Sequence, residues 1–290
     1  MSEFRLIDAI VQELGDDASG GCLAVGPGDD ASVSNVPAGT QLVSSIDTLL
    51  VGRHFPEDAA PRDVGYRSMM VALSDLAAMG AEPHIALIAL TAPSADEAWM
   101  RELATGIAAA ARVTNVKVAG GNLCRGTLSL SVSVHGLVPE GQAVTRSGAA
   151  AGDTLYVTGA LGGAAAALDA AFENAALNTR YYQPRARVDL AAQLRACASA
   201  AIDLSDGLLQ DVGHLAAASG LAAQIESKDI PVGDGAKRSH VLGGSDDYEL
   251  CFAASVTPPF PAIAIGRMAA GEGVWLDGEK VAEHGYQHFA

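Results

Sequence analysis

Carboxylates dominate the positions able to do chemistry in this chain. Asp29 and Asp30 follow a Gly26-Pro27-Gly28 turn. Ser45 and Asp47 stand two apart in an apolar run, Asp75 lies inside an apolar helix pattern, and Asp203 and Asp206 flank Leu204-Ser205 just before Gly207. Gathering carboxylates among glycines and apolar segments is costly unless a cation joins them. Donors that offer only oxygen suit Mg²⁺ or another hard cation, and Mg²⁺ commonly arrives with a phosphate. The pattern points to a site for nucleotide phosphates. Each group also has an ordinary explanation: a solvated turn for Asp29-Asp30, a cap for Asp47, a pairing with Arg67 or a backbone N–H for Asp75 and a helix N-cap for Asp203 or Asp206. A cap uses only one of the last two aspartates, and the clusters together favour the cation.

Other residues extend the pattern. Gly120-Gly121-Asn122 follows a strand and offers a backbone cradle. Arg146 lies where a domain boundary is expected; its guanidinium suits either a polyphosphate clamp or a surface ion pair. His54, between Arg53 and Phe55, is placed to contact a substrate and is not favoured as a general base. No G-x-x-x-x-G-K-[ST] loop, protein-kinase motif set or Ser-His-Asp ordering occurs, so a kinase built on this chain uses another architecture.

The elements that must carry these residues follow from periodicity and turn residues. Phe4, Ile7, Val11 and Leu14 have helical spacing. Residues 22–25 and 41–46 predict strands, with the Gly-Pro-Gly-Asp-Asp loop between them and Asp47 at the end of the second. Pro61 opens a helix running to about Met79, which Gly80 and Pro83 terminate. Residues 84–92 predict a strand, Ser94 with Glu97 caps a helix over about 95–112, and 127–138 alternates as a strand. A polar, Gly-rich stretch at 139–152 places the domain boundary near residue 148, giving domains 1–148 and 149–290. The second half predicts a strand at 154–158, then Gly159-Ala160-Leu161-Gly162-Gly163 leading into an Ala-rich helix. It continues with a helix at 185–196, a strand at 200–204 and a helix at 207–219 that Ser205 or Asp206 would cap. Strands at 247–253, 261–265 and 274–281 follow, the last turning at Asp277-Gly278. Without strict β-α-β alternation, the fold class is α+β.

Composition limits the partners. The 290 residues allow about two domains at ~100–200 residues each. They are 49% hydrophobic and carry 34 acidic against 18 basic residues, a net charge of −16. That charge argues against nucleic acid and anionic membranes, and favours cations wherever polyphosphates are handled. No stretch reaches the ~18–20 apolar residues needed to span a bilayer, and the N-terminus has no basic region followed by an apolar core. Cys22, Cys124, Cys197 and Cys251 form no Cys-x-x-Cys pair and are expected to be buried thiols of a cytoplasmic protein.

In order along the chain, these segments resemble thiamine-monophosphate kinase, of the superfamily that includes aminoimidazole ribonucleotide synthetase. The resemblance runs through Gly26–Ala31, Asp47–Leu49, Gly52–Phe55, Leu73–Pro83, Gly120–Asn122, Arg146–Gly148, Asp203–Leu208 and Asp247–Leu250 to Gly285–Phe289. It implies two α/β domains, the N-terminal one with a mixed or antiparallel sheet that pairs in a homodimer and the C-terminal one sandwich-like, completing the nucleotide and substrate site. It implies ATP-dependent phosphorylation of thiamine monophosphate, the last step of thiamine diphosphate synthesis. By the same resemblance, Asp30, Ser45, Asp47, Asp75, Asn122, Asp203 and Asp206 hold several Mg²⁺ ions. Gly121, Asn122, Arg146 and Ser205 hold the nucleotide, and His54, Asp246 and Tyr286 hold the substrate. Two positions depart from the family: Asn122 stands where Asp is usual, and Ser245-Asp246 where Gly-Glu is usual. Sister enzymes of the superfamily fit less well, since the chain lacks a reactive Cys near a Gly-rich N-terminus or at its end. A non-catalytic nucleotide- or metal-binding homologue is the reading from another class.

Overall fold

The computed structural model describes residues 2–244, 246–282 and 285–286, in two compact units. The first comprises residues 1–76 and 82–141, the second residues 77–81 and 142–290. Residues 142–148 therefore group with the second unit.

The first unit runs α1 (Glu3–Leu14), β1 (Leu23–Val25), β2 (Val33–Ser34), β3 (Thr40–Leu50), α2 (Pro61–Ala78), β4 (Glu82–Ala92), α3 (Glu97–Thr114), β5 (Lys117–Arg125) and β6 (Ser129–Pro139), α2 ending in residues of the second unit. Its four-stranded sheet has the order β3-β6-β4-β5, with only β4 and β5 parallel. Period-two alternation is clean in β6. Leu130, Val132, Val134 and Val138 are buried, while Ser129, Ser131, Ser133 and His135 point to the other face. That second face carries exposed Leu42, Ile46 and Leu50 from β3, which sits at the sheet edge. Two helices cross at paired glycines: a Cβ on Gly65 of α2 would lie 2.2 Å from the Leu103 carbonyl oxygen, and one on Gly106 of α3 1.9 Å from that of Arg62.

Several expectations are corrected. Asp96, not Ser94, caps α3, its carboxylate accepting from the Ala98 and Trp99 amides. Phe4 is 76% exposed; α1 buries Leu14 as expected, with Leu6 and Ala9 in place of Phe4, Ile7 and Val11. The second strand extends to Leu50, so Asp47 lies within it, and Gly120–Asn122 lie inside β5 rather than after a strand. All four thiols are free, but only Cys251 is buried and Cys124 is exposed.

The second unit runs β7 (Thr154–Val157), α4 (Gly163–Asp169), α5 (Ala175–Tyr182), α6 (Ala191–Cys197), β8 (Ala200–Asp203), α7 (Leu208–Ser219), β9 (Ala222–Ile225), α8 (Arg238–Gly243), β10 (Leu250–Ala254), β11 (Ile263–Ala269), β12 (Gly273–Leu276) and β13 (Glu279–Val281). Its sheet has the order β13-β12-β9-β11-β7-β10-β8, antiparallel except between β12 and β9. Every residue of β10 is buried. Cys251 joins the core on the face of α7, and Phe252 the core on the other face, where its ring stacks on Tyr156 at 5.4 Å. Burial on both faces explains why this strand reads as a continuous apolar run. Short α5, β9 and α8 have no strong periodicity to announce them. The β12–β13 hairpin turns at Asp277-Gly278 as expected, both residues with positive φ. Among the described residues, no helix is long and apolar enough to cross a membrane.

Candidate active site

In the first unit, cross-strand pairing sets which residues share a face. Ser45, Asp47 and buried Leu49 alternate along β3, and Ser45 donates a 2.5 Å hydrogen bond to the Asp75 carboxylate on α2. Residues 30 apart in sequence are thus joined on the sheet face that α2 covers. A hydroxyl and two carboxylates stand there beside a helix that also buries Arg67, Ser68 and Ser74. Asp30 lies on the exposed loop after β1, where its amide donates to the Asp29 carboxylate at 2.8 Å. Both carboxylates are exposed, and one Asp29 oxygen serves the turn.

Gly121 pairs with Ile88 in the row of Val132 and Asp47, whereas Asn122 pairs with Ala89 in the row of Ser131 and Thr48. Successive rows project to opposite faces, so the Asn122 side chain stands with the exposed Thr48 and Cys124 rather than with Asp47. A Cβ on Gly121 would lie 2.0 Å from the Ile88 carbonyl oxygen, so this position requires glycine. His54 follows the end of β3. Its Nδ1 accepts the Leu50 amide at 3.0 Å, which places the proton of the neutral ring on Nε2 and makes that atom a donor.

In the second unit, the predicted residues come together. The chain leaving β8 at Asp203 continues to pair with the segment leading into β10. The Leu204 amide donates to the Glu249 carbonyl, the Tyr248 amide to the Leu204 carbonyl and the Asp246 amide to the Ser205 carbonyl, at 2.8–2.9 Å. The Tyr286 amide donates to the Asp206 carbonyl at 2.9 Å. Asp203, Ser205, Asp206, Asp246 and Tyr286 thus belong to three backbone segments laid side by side. Asp203 is 5% exposed. Asp246 and Tyr248 both hold positive φ, 72° and 52°, and the Tyr248 hydroxyl donates to the Asp246 carboxylate at 3.0 Å. Non-glycine residues in that region are strained, and such strain clusters where side chains must be aimed. Arg146 is exposed, its carbonyl accepting the Ser219 hydroxyl.

Neither Ser205 nor Asp206 caps α7. The N-cap is Gly207, with φ 127°, and the Asp211 carboxylate in the first turn accepts the Asp206 and Gly207 amides at 3.1 and 3.0 Å. Asp211 is buried, and burial pushes its carboxyl up to about 7. With Gly207 at the cap position, the Asp206 side chain makes no capping bond. An acidic residue in a first helical turn was the available signal for Asp211.

Asp247 does similar work at the Gly159–Gly163 loop. Both its oxygens accept the Gly162 amide, at 2.8 and 2.9 Å, and desolvation pushes this carboxyl up to about 7 against those bonds. A phosphate would seek the same amides, so an internal carboxylate already holds that helix start. Beside it, Glu249 accepts the Thr158 hydroxyl at 2.5 Å and pairs with Arg187 at 3.3 Å. Among the described residues, no three His, Cys, Asp or Glu side chains cluster closely enough to form a metal site by themselves. Ser245 and residues 287–289 of the C-terminal motif lie outside the described residues.

Residues 28–138 match the family model of the AIR synthase related protein, N-terminal domain. Thiamine-monophosphate kinase of Escherichia coli (strain K12) is 39% identical over 305 aligned positions, covering 92% of each chain. The crystal structure of thiamine-monophosphate kinase from Stenotrophomonas maltophilia K279a superposes with a TM-score of 0.88 at 39% identity, covering 97% of this chain and 98% of that one. A structure of AaThiL complexed with AMPPCP and TMP superposes with a TM-score of 0.83 at 31% identity, covering 99% and 97%. Identity of this level along nearly the whole of both chains, on an α+β fold whose second unit gathers the expected motifs, makes this chain a member of the thiamine-monophosphate kinase family.

Proposed function

We infer that the chain transfers the γ-phosphoryl group of ATP to thiamine monophosphate, yielding thiamine diphosphate and ADP, as the last step of thiamine diphosphate synthesis. The observation that carries this reading is full-length identity to enzymes of that name. The AaThiL neighbour, which holds AMPPCP and TMP together, supports the pairing of an ATP-like nucleotide with a second phosphorylated ligand.

The acceptor chooses the mechanism. A phosphate monoester oxygen is already ionised near neutral pH, so it attacks the γ-phosphorus in line without a general base. One P–O bond forms, the β–γ bridging P–O bond breaks, and ADP leaves with the electron pair. Catalysis then rests on positioning and on charge neutralisation. His54 Nε2 is set as a donor for substrate phosphate. Asp246, held by the Tyr248 hydroxyl, faces the cationic part of thiamine, and the Tyr286 ring offers a stacking surface. Gly121, Asn122, Arg146 and Ser205 are assigned to the nucleotide.

The donor set fits Mg²⁺. Asp30, Ser45, Asp47 and Asp75 in the first unit, and Asp203 and Asp206 in the second, offer only oxygen, and Ser45 already meets Asp75. Asn122, whose side chain shares the row of Thr48, is left to the nucleotide. Mg²⁺ commonly takes one or two carboxylates and completes its shell with water and phosphate, which agrees with the lack of a three-carboxylate cluster among the described residues. When bound, it would screen phosphate charge at the transferring group. We assign the protein to the cytoplasm as a homodimer; the exposed Leu42, Ile46 and Leu50 on one sheet face support self-association.

Replacing Asp47 or Asp75 by Ala is expected to lower thiamine diphosphate formation at least ~100-fold while leaving the fold intact by circular dichroism. Unchanged turnover in either variant would refute their assignment. A wild-type protein that releases no ADP on adding thiamine monophosphate would refute the activity itself.

A further inference from the structure

Gln210, in the first turn of α7, bridges two parts of the second unit that carry different assignments. Its Nε2 donates to the Asp206 carboxylate at 3.2 Å and to the Tyr286 carbonyl oxygen at 3.3 Å. One amide thus touches a side chain assigned to Mg²⁺ and the backbone of the residue assigned to the thiamine ring. The crossing is tight as well as bonded. A Cβ on Gly285 would lie 2.6 Å from both the Asp206 carbonyl oxygen and Gln210 Oε1, and one on Gly207 would lie 2.7 Å from the Gly244 carbonyl oxygen and 3.7 Å from Gly285 Cα. Gly285 leaves no room for a side chain where Gln210 makes its bridge, and Gly207 packs close beside it. The Tyr286 amide adds its own bond to the Asp206 carbonyl. Beside that backbone bond, the Gln210 side chain ties the Tyr286 carbonyl to the Asp206 carboxylate.

We propose that Gln210 is a positioning residue that ties the Gly285–Tyr286 segment to Asp206 and thereby sets affinity for the thiamine-bearing substrate. The inference rests on the activity proposed above. No other side-chain type performs both contacts equally. Glu would offer a carboxylate to two acceptors and repel Asp206, and Met would keep the volume but lose the donor.

The test compares wild type, Gln210→Met, Gln210→Glu, Tyr286→Ala and the Gln210→Met/Tyr286→Ala double variant, all full-length. Steady-state kinetics are read alongside calorimetric binding of thiamine monophosphate in the presence of a non-hydrolysable ATP analogue. We expect Gln210→Met to raise KM and Kd for thiamine monophosphate about tenfold, the size of a lost hydrogen bond to a charged group. KM for ATP should rise less than KM for thiamine monophosphate, because the Asp206 carboxylate stays available to the proposed Mg²⁺ while the Gly285–Tyr286 segment loses its side-chain tie, and Gln210→Glu should be worse. The double variant should bind no more weakly than Tyr286→Ala alone, because both changes remove the same placement. Unchanged affinity in Gln210→Met, equal losses toward both substrates, or additive losses in the double variant would overturn the proposal. If a Gln210 variant does not fold, additivity is read instead from Gln210→Asn, which keeps the amide but shortens its reach. Absence of thiamine-monophosphate-dependent ADP release in wild type would overturn the activity, a separate outcome from failure of the Gln210 arm.

Discussion

At the scale of single residues, buried carboxylates satisfy backbone amides at two helix starts. Asp211 accepts the Asp206 and Gly207 amides, and Asp247 accepts the Gly162 amide. Asp247 also imposes a pH dependence. Its carboxyl is raised from 3.8 to about 7 in the folded chain, chiefly by burial, so the folded state binds the proton more tightly than the unfolded one. Stability from this group is therefore full below about pH 4. It declines as pH rises toward 7, by about 1.4 kcal/mol for each pH unit at most. The melting temperature of the ligand-free protein should fall between about pH 4 and pH 7, and Asp247→Asn should reduce that slope. An equal slope in the variant would show that Asp247 does not titrate in this range. The same residue scale explains what reasoning from sequence could not see. Asn122 belongs with the Asp47 site by motif, yet β5 register sends its side chain to the other sheet face.

Among the elements, the α2–α3 crossing is the sharpest constraint on the first unit. Gly→Ala inside a helix ordinarily gains about 1 kcal/mol from propensity. At Gly106 the sign should reverse, because the new methyl would meet the Arg62 carbonyl oxygen at 1.9 Å and must drive the helices apart. Gly106→Ala is expected to cost ~2–3 kcal/mol in urea unfolding. Since α2 carries Asp75 to Ser45, activity should fall with stability even though Gly106 touches no substrate. A stabilised, fully active variant would contradict this packing. Long helices such as α2, α3 and α7 were readable within a few residues, α2 from Pro61 at its start and Gly80 and Pro83 after its end. The α3 cap was not, because Ser94 and Asp96 are both good caps and only the backbone path chooses between them.

For the whole molecule, the proposed homodimer is tested at the apolar residues on one face of the four-stranded sheet. Leu42 and Ile46 are 53% and 64% exposed, a poor arrangement for an isolated sheet edge. Ile46→Glu should place two like charges in that face and shift the protein toward monomer in sedimentation velocity. His135 shares the face, hydrogen-bonded to Ser44, and burial lowers the tendency of its imidazole to protonate. A wild-type protein that sediments as a monomer at tens of micromolar would remove the homodimer from the proposal.

Composition and ordered motifs sufficed for the α+β class and the family, because these depend on which residues occur and in what sequence. The convergence of Asp203, Ser205, Asp206, Asp246 and Tyr286 was only implied by the motifs; hydrogen bonds between segments tens of residues apart create it. Tertiary structure alone decided that Ser45 meets Asp75, that Asp211 and Asp247 hold the helix starts and that Gln210 reaches both Asp206 and Tyr286. Register and close backbone approach are properties of chains packed in space, and a linear pattern of residue types does not encode them one position at a time.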